Sequence, residues 1–496
     1  MRGREWRAAT VLGVALLSSY AYFYQAGGWN QNSRFALIRA VLERHTLQID
    51  AYQLHTGDRS VWRDHYYSDK APGASFLALL PVQAARVVAR QSGVDPGSFP
   101  GIAWTSYVAT VATSGVFTTI AALLVFRLSL VWGASLNAAL FAATAYGLAS
   151  PAWAYATLFM GHGQTAGCLM IAFSAAETMR QADCPPNTAT LRRAGPYPMS
   201  RHTLAWIVGL SGGWAVVTEF PAAIPAIFIG LLALEHVRRD ESRALGPVIV
   251  RIALGVLIAA IPLLAYNAMA FDSPFRLGYS TEEGFAQMKT GFFGITYPTL
   301  ATIRELLVGR FRGLLPLSPL MALSVVGLVR LWRRGHARPA AVAASIAIYY
   351  LLLNASYFFW EGGWTYGPRQ MTAALPFVAL GLAPLWDTTR RVWRAVLVGG
   401  WLWGAAVTLV AVSTTAQPPS SFKAPVSELL WPAFIDGDLS LNHQSFVHGS
   451  ALPDRLRGRT EPHYAWNLGE LAGLRGLLSL LPLLAVWIGA ALLWPR

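Results

Sequence analysis

Apolar runs of eighteen or more residues recur from one end of the chain to the other, separated by stretches rich in charged and aromatic side chains. A helix of that length crosses roughly 30 Å of hydrocarbon, so the pattern predicts an all-α polytopic membrane protein rather than a soluble core. The expected spans lie at about 8–25, 103–126, 133–150, 160–178, 203–218, 221–237, 247–270, 312–329, 339–357, 371–386, 391–413 and 472–494, about twelve in all. The run at 74–89 is barely long enough to cross and ends with Arg86 and Arg90, which suits a span or a helix lying in the interface.

The basic clusters decide between those two. Arg2, Arg4 and Arg7 hold the N-terminus in the cytoplasm by the positive-inside tendency. If 74–89 lies on the surface, Arg238/Arg239, Arg330/Arg333/Arg334/Arg338 and Arg390/Arg391/Arg394 also face the cytoplasm, with the C-terminus. If it crosses, Arg180, Arg192, Arg193 and Arg201 fall outside. The interfacial reading is adopted. It leaves four longer outer loops at 26–102, 271–311, 358–370 and 414–471, and an organisation of a transmembrane module (1–413), an outer cap (414–471) and a last span (472–496). No inverted repeat of the kind transporters use is visible. The expected location is the bacterial cytoplasmic membrane, with the working face outside.

Composition agrees, with 54% hydrophobic and 13% charged residues. The net charge of +14 does not point to nucleic acid, because the arginines stand in short clusters between apolar runs, where they set orientation. Cys168 and Cys184 give neither a disulfide framework nor a metal-ligand spacing.

The chemistry concentrates outside. In the first outer loop Trp29-Asn-Gln-Asn-Ser-Arg34 leads into a short amphipathic helix marked by Phe35, Ile38, Val41 and Leu42, with Asn32 as its cap, and His65-Tyr-Tyr-Ser-Asp-Lys-Ala-Pro-Gly73 closes the segment. Lys70 stands on a tight turn before the interfacial helix, where a fixed cation suits a lipid phosphate; the alternative is a lysine that only snorkels. His162, in Met-Gly-His162-Gly-Gln164, sits at the outer mouth of a span and is either a base near neutral pH or a packed histidine. Glu219, in Thr218-Glu-Phe-Pro221, opens onto the same face, as a catalytic carboxylate or as an arginine's partner. Arg310 and Arg312, and then Glu361-Gly-Gly-Trp364-Thr-Tyr366-Gly-Pro-Arg369, add bidentate cations and flat rings for a phosphate and a sugar or isoprenoid. In the last loop His443 and His448, near Asp436, Asp438 and Asp454, make half of a zinc spacing without the other half.

Those residues resemble the GT-C superfamily of membrane glycosyltransferases, in the branch of the protein O-mannosyltransferases and the lipid A aminoarabinose transferase, over about residues 1–390. Gln31-Asn-Ser-Arg34-Phe looks like that branch's Asp-Glu-x-Arg-Tyr motif, and Tyr67-Ser-Asp-Lys70-Ala-Pro like its Tyr-x-x-Lys-Pro-Pro. His162 falls where the family carries a second acid, and Thr218-Glu-Phe-Pro221 matches a Thr-Lys-Gly-Pro turn. The resemblance implies a GT-C bundle that moves a sugar from a polyprenyl-phosphate donor to an acceptor hydroxyl at the outer leaflet, usually with inversion. Lys70 would hold the leaving phosphate, aided by Arg310, Arg312 or Arg369. Gln31, Asn32, Arg34, Tyr67, Trp364 and Tyr366 would line the substrate.

The family's leading acids fall on Gln31 and Asn32, which accept no proton. The expected base is therefore a nearby carboxylate, Asp58 or Asp69 first and Asp50 next. The expected partners are the polyprenyl-phosphate sugar, an acceptor of unspecified chemistry and the bilayer; no cofactor is expected, and a divalent metal is left open. Two other classes compete: a transporter or flippase of lipid-linked glycans, and an inactive GT-C-like binding protein.

Overall fold

A computed structural model describes residues 3–180, 199–240, 244–442, 444–447 and 464–495. His443, His448 and Asp454, weighed above as metal ligands, lie outside the described residues, as do Cys184, Arg192 and Arg193. The chain opens with α1 (Gly3–Ala21), the two-residue β1 (Phe23–Tyr24), α2 (Trp29–Arg44), a hairpin of β2 (Arg59–Trp62) and β3 (His65–Ser68), and α3 (Gly73–Gln91). Then come α4 (Phe99–Thr110), joined through one π turn to α5 (Val116–Val131), α6 (Leu136–Gly147), α7 (Ala152–Ala156), α8 (Gly161–Met179), α9 (Arg201–Thr218), α10 (Ala223–Asp240) and α11 (Leu245–Phe271). The second half holds α12 (Leu300–Val308), α13 (Leu314–Leu317), α14 (Leu320–Arg333), α15 (Ala337–Ser356), α16 (Leu375–Ala379), α17 (Leu382–Thr388), α18 (Arg391–Thr414) and α19 (Trp431–Asp436). It ends with β4 (Trp466–Asn467), α20 (Leu468–Leu471) and α21 (Leu481–Leu493).

Among the described residues six helical stretches are long and apolar enough to cross a membrane: Phe99–Val131, Phe220–Arg239, Leu245–Phe271, Ala337–Ser356, Arg391–Thr414 and Gly476–Leu493. The pair Arg369–Ala379 and Leu382–Thr388, bent by 41°, makes a seventh if it counts as one span. Several expected spans are therefore shorter or broken, and the chain shows why. The run at 133–150 is helical only from Leu136 to Gly147 and stops before Ser150-Pro151. The run at 312–329 divides at Ser318-Pro319, and that at 371–386 bends at Gly381. In these places proline and glycine outweigh hydropathy. α11 faces outward with Val250, Leu254, Leu257, Ile258 and Ile261, an exposure that lipid rather than water accommodates.

Close backbone approach holds the second half together. A Cβ on Gly327 of α14 would lie 1.6 Å from the carbonyl oxygen of Gly381, and one on Gly381 would lie 2.1 Å from that of Ser324. Small residues at such a crossing replace the hydrophobic drive that is missing between helices in lipid. Gly327→Val is expected to cost about 1–3 kcal/mol by overpacking. It should lower the unfolding midpoint in detergent, whereas Gly230→Ala, at a position with open space around its Cβ, should leave it unchanged.

Candidate active site

Two buried groups of charge lie in loops and at helix ends, and local structure places each of them. The β2–β3 hairpin turns through Arg63 and Asp64, both left-handed with φ of 49° and 63°, as a tight two-residue connection requires. Its register sets Arg59 opposite Ser68, so Asp58 and Asp69 flank its open end. The next residue, Lys70, puts its ammonium between them, with Nζ 2.9 Å from Asp58 Oδ2 and 2.7 Å from Asp69 Oδ2. Ser33 of α2 donates to the other Asp69 oxygen at 3.3 Å, and its hydroxyl is 2.8 Å from that of Ser68. The Ser60 hydroxyl donates to the Gly278 carbonyl at 2.7 Å, which seats the 277–280 turn, with Tyr279, against the hairpin.

Burial works against every charge here. It opposes the Lys70 charge, but Asp58 and Asp69 outweigh it and hold the ammonium firmly protonated. For Asp69 burial wins over Lys70 and pushes the carboxyl above its ordinary range.

The second pair is His162 Nδ1 with Glu219 Oε1 at 2.7 Å. Glu219 is the extended residue that ends α9, and His162 is in the first turn of α8, where Gly161 is required because a Cβ there would lie 2.8 Å from Glu219 Cγ. Burial opposes the Glu219 charge, while His162, Arg34 and Arg369 bring its pKa below the usual range. The two pairs are neighbours: a Cβ on Gly73, three residues after Lys70, would meet Thr218 Oγ1 at 2.7 Å. Arg34 stands between them. It donates to the Ala71 carbonyl at 3.0 Å and to Asn30 Oδ1 at 3.3 Å. Burial lowers its pKa, against the charges of Glu219, Asp69 and Asp58. The Tyr155 ring meets His162 edge-on at 5.4 Å, and Arg369 faces Glu219 electrostatically with its Nε unpaired.

The remaining expected residues do other things. Gln31 accepts from the Phe159 N–H at 2.7 Å and donates to the Ala26 carbonyl at 3.2 Å. Asn32 does not cap α2, which starts three residues earlier at Trp29; it accepts from the Gly28 N–H and donates to the carbonyls of His55 and Ser445. Asp50 is spent on His65 and the Tyr66 N–H, at 2.7 and 2.6 Å. Arg312 is fully buried, donating to the carbonyls of Glu361, Gly363 and Phe311, so it folds the 361–363 turn and has no free edge for a phosphate. Tyr366 is buried against Tyr155 and Thr408, and Tyr67 packs on Phe271. Arg310 is exposed, and Trp364 is half-buried. Ser33, Ser68, Tyr155 and Tyr279 were not anticipated, and only Tyr279, in the Gly-Tyr of an outer loop, leaves a trace in the sequence. Among the described residues no group of three or more His, Cys, Asp or Glu is placed to hold a metal ion.

The helical bundle, with six stretches apolar enough to cross a membrane, shares its fold with a solved structure of low sequence identity. Among solved structures the chain is similar to ArnT from Cupriavidus metallidurans bound to undecaprenyl phosphate, with 16% identity and a TM-score of 0.51 over 98% of this chain and 75% of that one. ArnT in the apo state gives a TM-score of 0.48 at the same identity and coverage. The archaeal oligosaccharyltransferase AglB from Archaeoglobus fulgidus, in complex with an inhibitory peptide and a dolichol-phosphate, gives 0.48 at 13% identity, over 91% of this chain and 62% of that one. No protein-family model matches the sequence, and no curated protein is significantly similar to it.

The geometry explains why Gln31 and Asn32 are amides. Gln31 and Asn32 each accept from one backbone N–H while donating to carbonyls, and a carboxylate cannot donate. Gln31→Glu should leave the Ala26 carbonyl unpaired at about 1–3 kcal/mol. A lower unfolding midpoint, with no gain of activity, is the expected measurement.

Proposed function

We propose that this chain is a membrane glycosyltransferase that takes a sugar from a polyprenyl-phosphate donor and delivers it, with inversion, to an acceptor hydroxyl at the outer leaflet. The observation that carries this reading is the Lys70 ammonium, kept charged in a nearly buried site between Asp58 and Asp69. A fixed cation in a site of low dielectric stabilises the charge that builds on a leaving phosphate far better than one in water. The GT-C fold, and the undecaprenyl phosphate bound to the similar ArnT, support a lipid-linked donor.

In this reading Lys70 takes the phosphate, and Asp58 and Asp69 aim it. Both carboxylates are committed to the ammonium, and Ser33 holds the remaining Asp69 oxygen. Arg34 and Arg369 supply the further positive charge that an incoming phosphate needs beside three carboxylates. A transporter would place its ionisable groups midway along broken spans, whereas these groups stand in loops and at helix ends.

Lys70→Ala is expected to reduce release of undecaprenyl phosphate from a radiolabelled undecaprenyl phosphosugar by about a hundredfold or more, the scale for loss of one preorganised charge donor. Lys70→Arg should restore part of it. Undiminished turnover in Lys70→Ala removes Lys70 from the mechanism.

The pH dependence of binding follows from Asp69. Below its raised pKa the carboxyl is neutral, so the surroundings of Lys70 carry one negative charge fewer and a phosphate is held more tightly. As pH rises through that pKa, Asp69 ionises and binding weakens. Titrated with undecaprenyl phosphate, the wild type should lose affinity relative to Asp69→Asn as pH rises through the raised Asp69 pKa, the second ionisation of the phosphate being common to both proteins.

A further inference from the structure

Buried polar atoms nearly always find a partner, so several orphans in one place mark a site built for an occupant. Three such atoms surround Glu219. His162 Nε2, Arg369 Nε and the Tyr350 hydroxyl are buried without a hydrogen-bond partner, and the Glu219 charge acts on the residues of all three. The segments that bring them carry more. On α8 the Thr165 hydroxyl, one turn from His162, is unpaired, and on the turn Arg369–Ala374, which packs against α8, so is the Thr372 hydroxyl. Tyr350, Thr165 and Thr372 offer uncharged hydroxyls, the kind of group that recognises hydroxyls on a ring, beside the charged Arg369.

His162 differs from the carboxylates beside Lys70. Its Nδ1 faces Glu219 at 2.7 Å, and its Nε2 is buried without a hydrogen-bond partner. A nitrogen base fixed by a carboxylate behind it has the orientation that proton abstraction needs. Asp69 has both oxygens engaged, and Asp58 is paired with Lys70.

We propose that His162, oriented by Glu219, is the general base of the reaction, and that the orphaned groups around it bind an uncharged, polyhydroxylated acceptor. The proposal rests on the transferase reading above. In the step, the acceptor O–H gives its proton to His162 Nε2 while its oxygen forms the bond to the anomeric carbon. The bond from that carbon to the phosphate oxygen breaks, and its electron pair leaves on undecaprenyl phosphate against Lys70. Glu219 stabilises the imidazolium until it releases the proton to water. The groups in contact with His162 are Glu219 from the end of α9 and Tyr155 from α7, while Tyr350 from α15, Arg369 and Arg34 act electrostatically on Glu219.

The test uses full-length protein in detergent, a panel of radiolabelled pentose and hexose esters of undecaprenyl phosphate, and water or added polyols as acceptor. His162→Gln should lose about 10²-fold or more in kcat while binding undecaprenyl phosphate as the wild type does. Glu219→Gln should lower kcat at unchanged KM and move the acid limb of the pH profile to lower pH, because the imidazolium loses its counter-charge. His162→Asp should regain part of the rate with the limb shifted into the carboxylate range, and it decides the matter if His162→Gln does not fold. Loss of less than about tenfold in His162→Gln, or an acid limb that none of the variants moves, overturns the base assignment and leaves the transferase reading standing. A wild-type protein that binds undecaprenyl phosphate but releases none from any donor overturns both.

Discussion

The interaction on which the outer face depends is one ammonium shared by two carboxylates out of bulk water. Taking such charges from water costs several kcal/mol each unless geometry repays it, so the scaffold around Lys70 is stiff by necessity. The hairpin register supplies one acid from each strand end, Ser33 of α2 holds the far oxygen of Asp69, and Gly73 lets α3 start against Thr218. Each device also fixes something else. The contact at Gly73 carries the placement of Lys70 over to Glu219, and Arg34 balances both groups of charge from the gap between them.

The neutral and the charged groups are kept apart. Gln31 and Asn32 are structural amides that join α2 to Phe159, His55 and Ser445. The ionisable groups are Lys70 with its two acids, and His162 with Glu219. The amides hold that frame with neutral hydrogen bonds, which cost no desolvated charge.

The helical membrane character was legible in hydropathy, and the motifs singled out Lys70, Asp58, Asp69, His162 and Glu219, which the fold gathers into two buried groups of charge. What pairs with what was not. Nothing in the residues from 58 to 70 announces a hairpin, because β2 and β3 are four residues each and their apolar alternation is weak. Without the hairpin, Asp58 and Asp69 read as solvated acids of a loop. Arg312 and Tyr366 look like ligand groups in sequence, yet an arginine that gathers backbone carbonyls and a tyrosine packed between helices have the same letters. The expected count of twelve spans rests on hydropathy, which does not see the breaks at Pro151, Pro319 and Gly381.

The strand pairing of Phe23–Tyr24 with Trp466–Asn467 gives the molecule a history as well as a shape. Gln25 donates to the carbonyl of Val412, 387 residues away, and Asn442 and Ser445 hold the turn that starts α2. At synthesis rates of roughly 5–20 residues per second, the first loop waits about 20–80 s for those partners to leave the ribosome. Until then the turn that starts α2 lacks the bonds that fix it. The oldest part of the nascent chain is thus among the last to reach its final form.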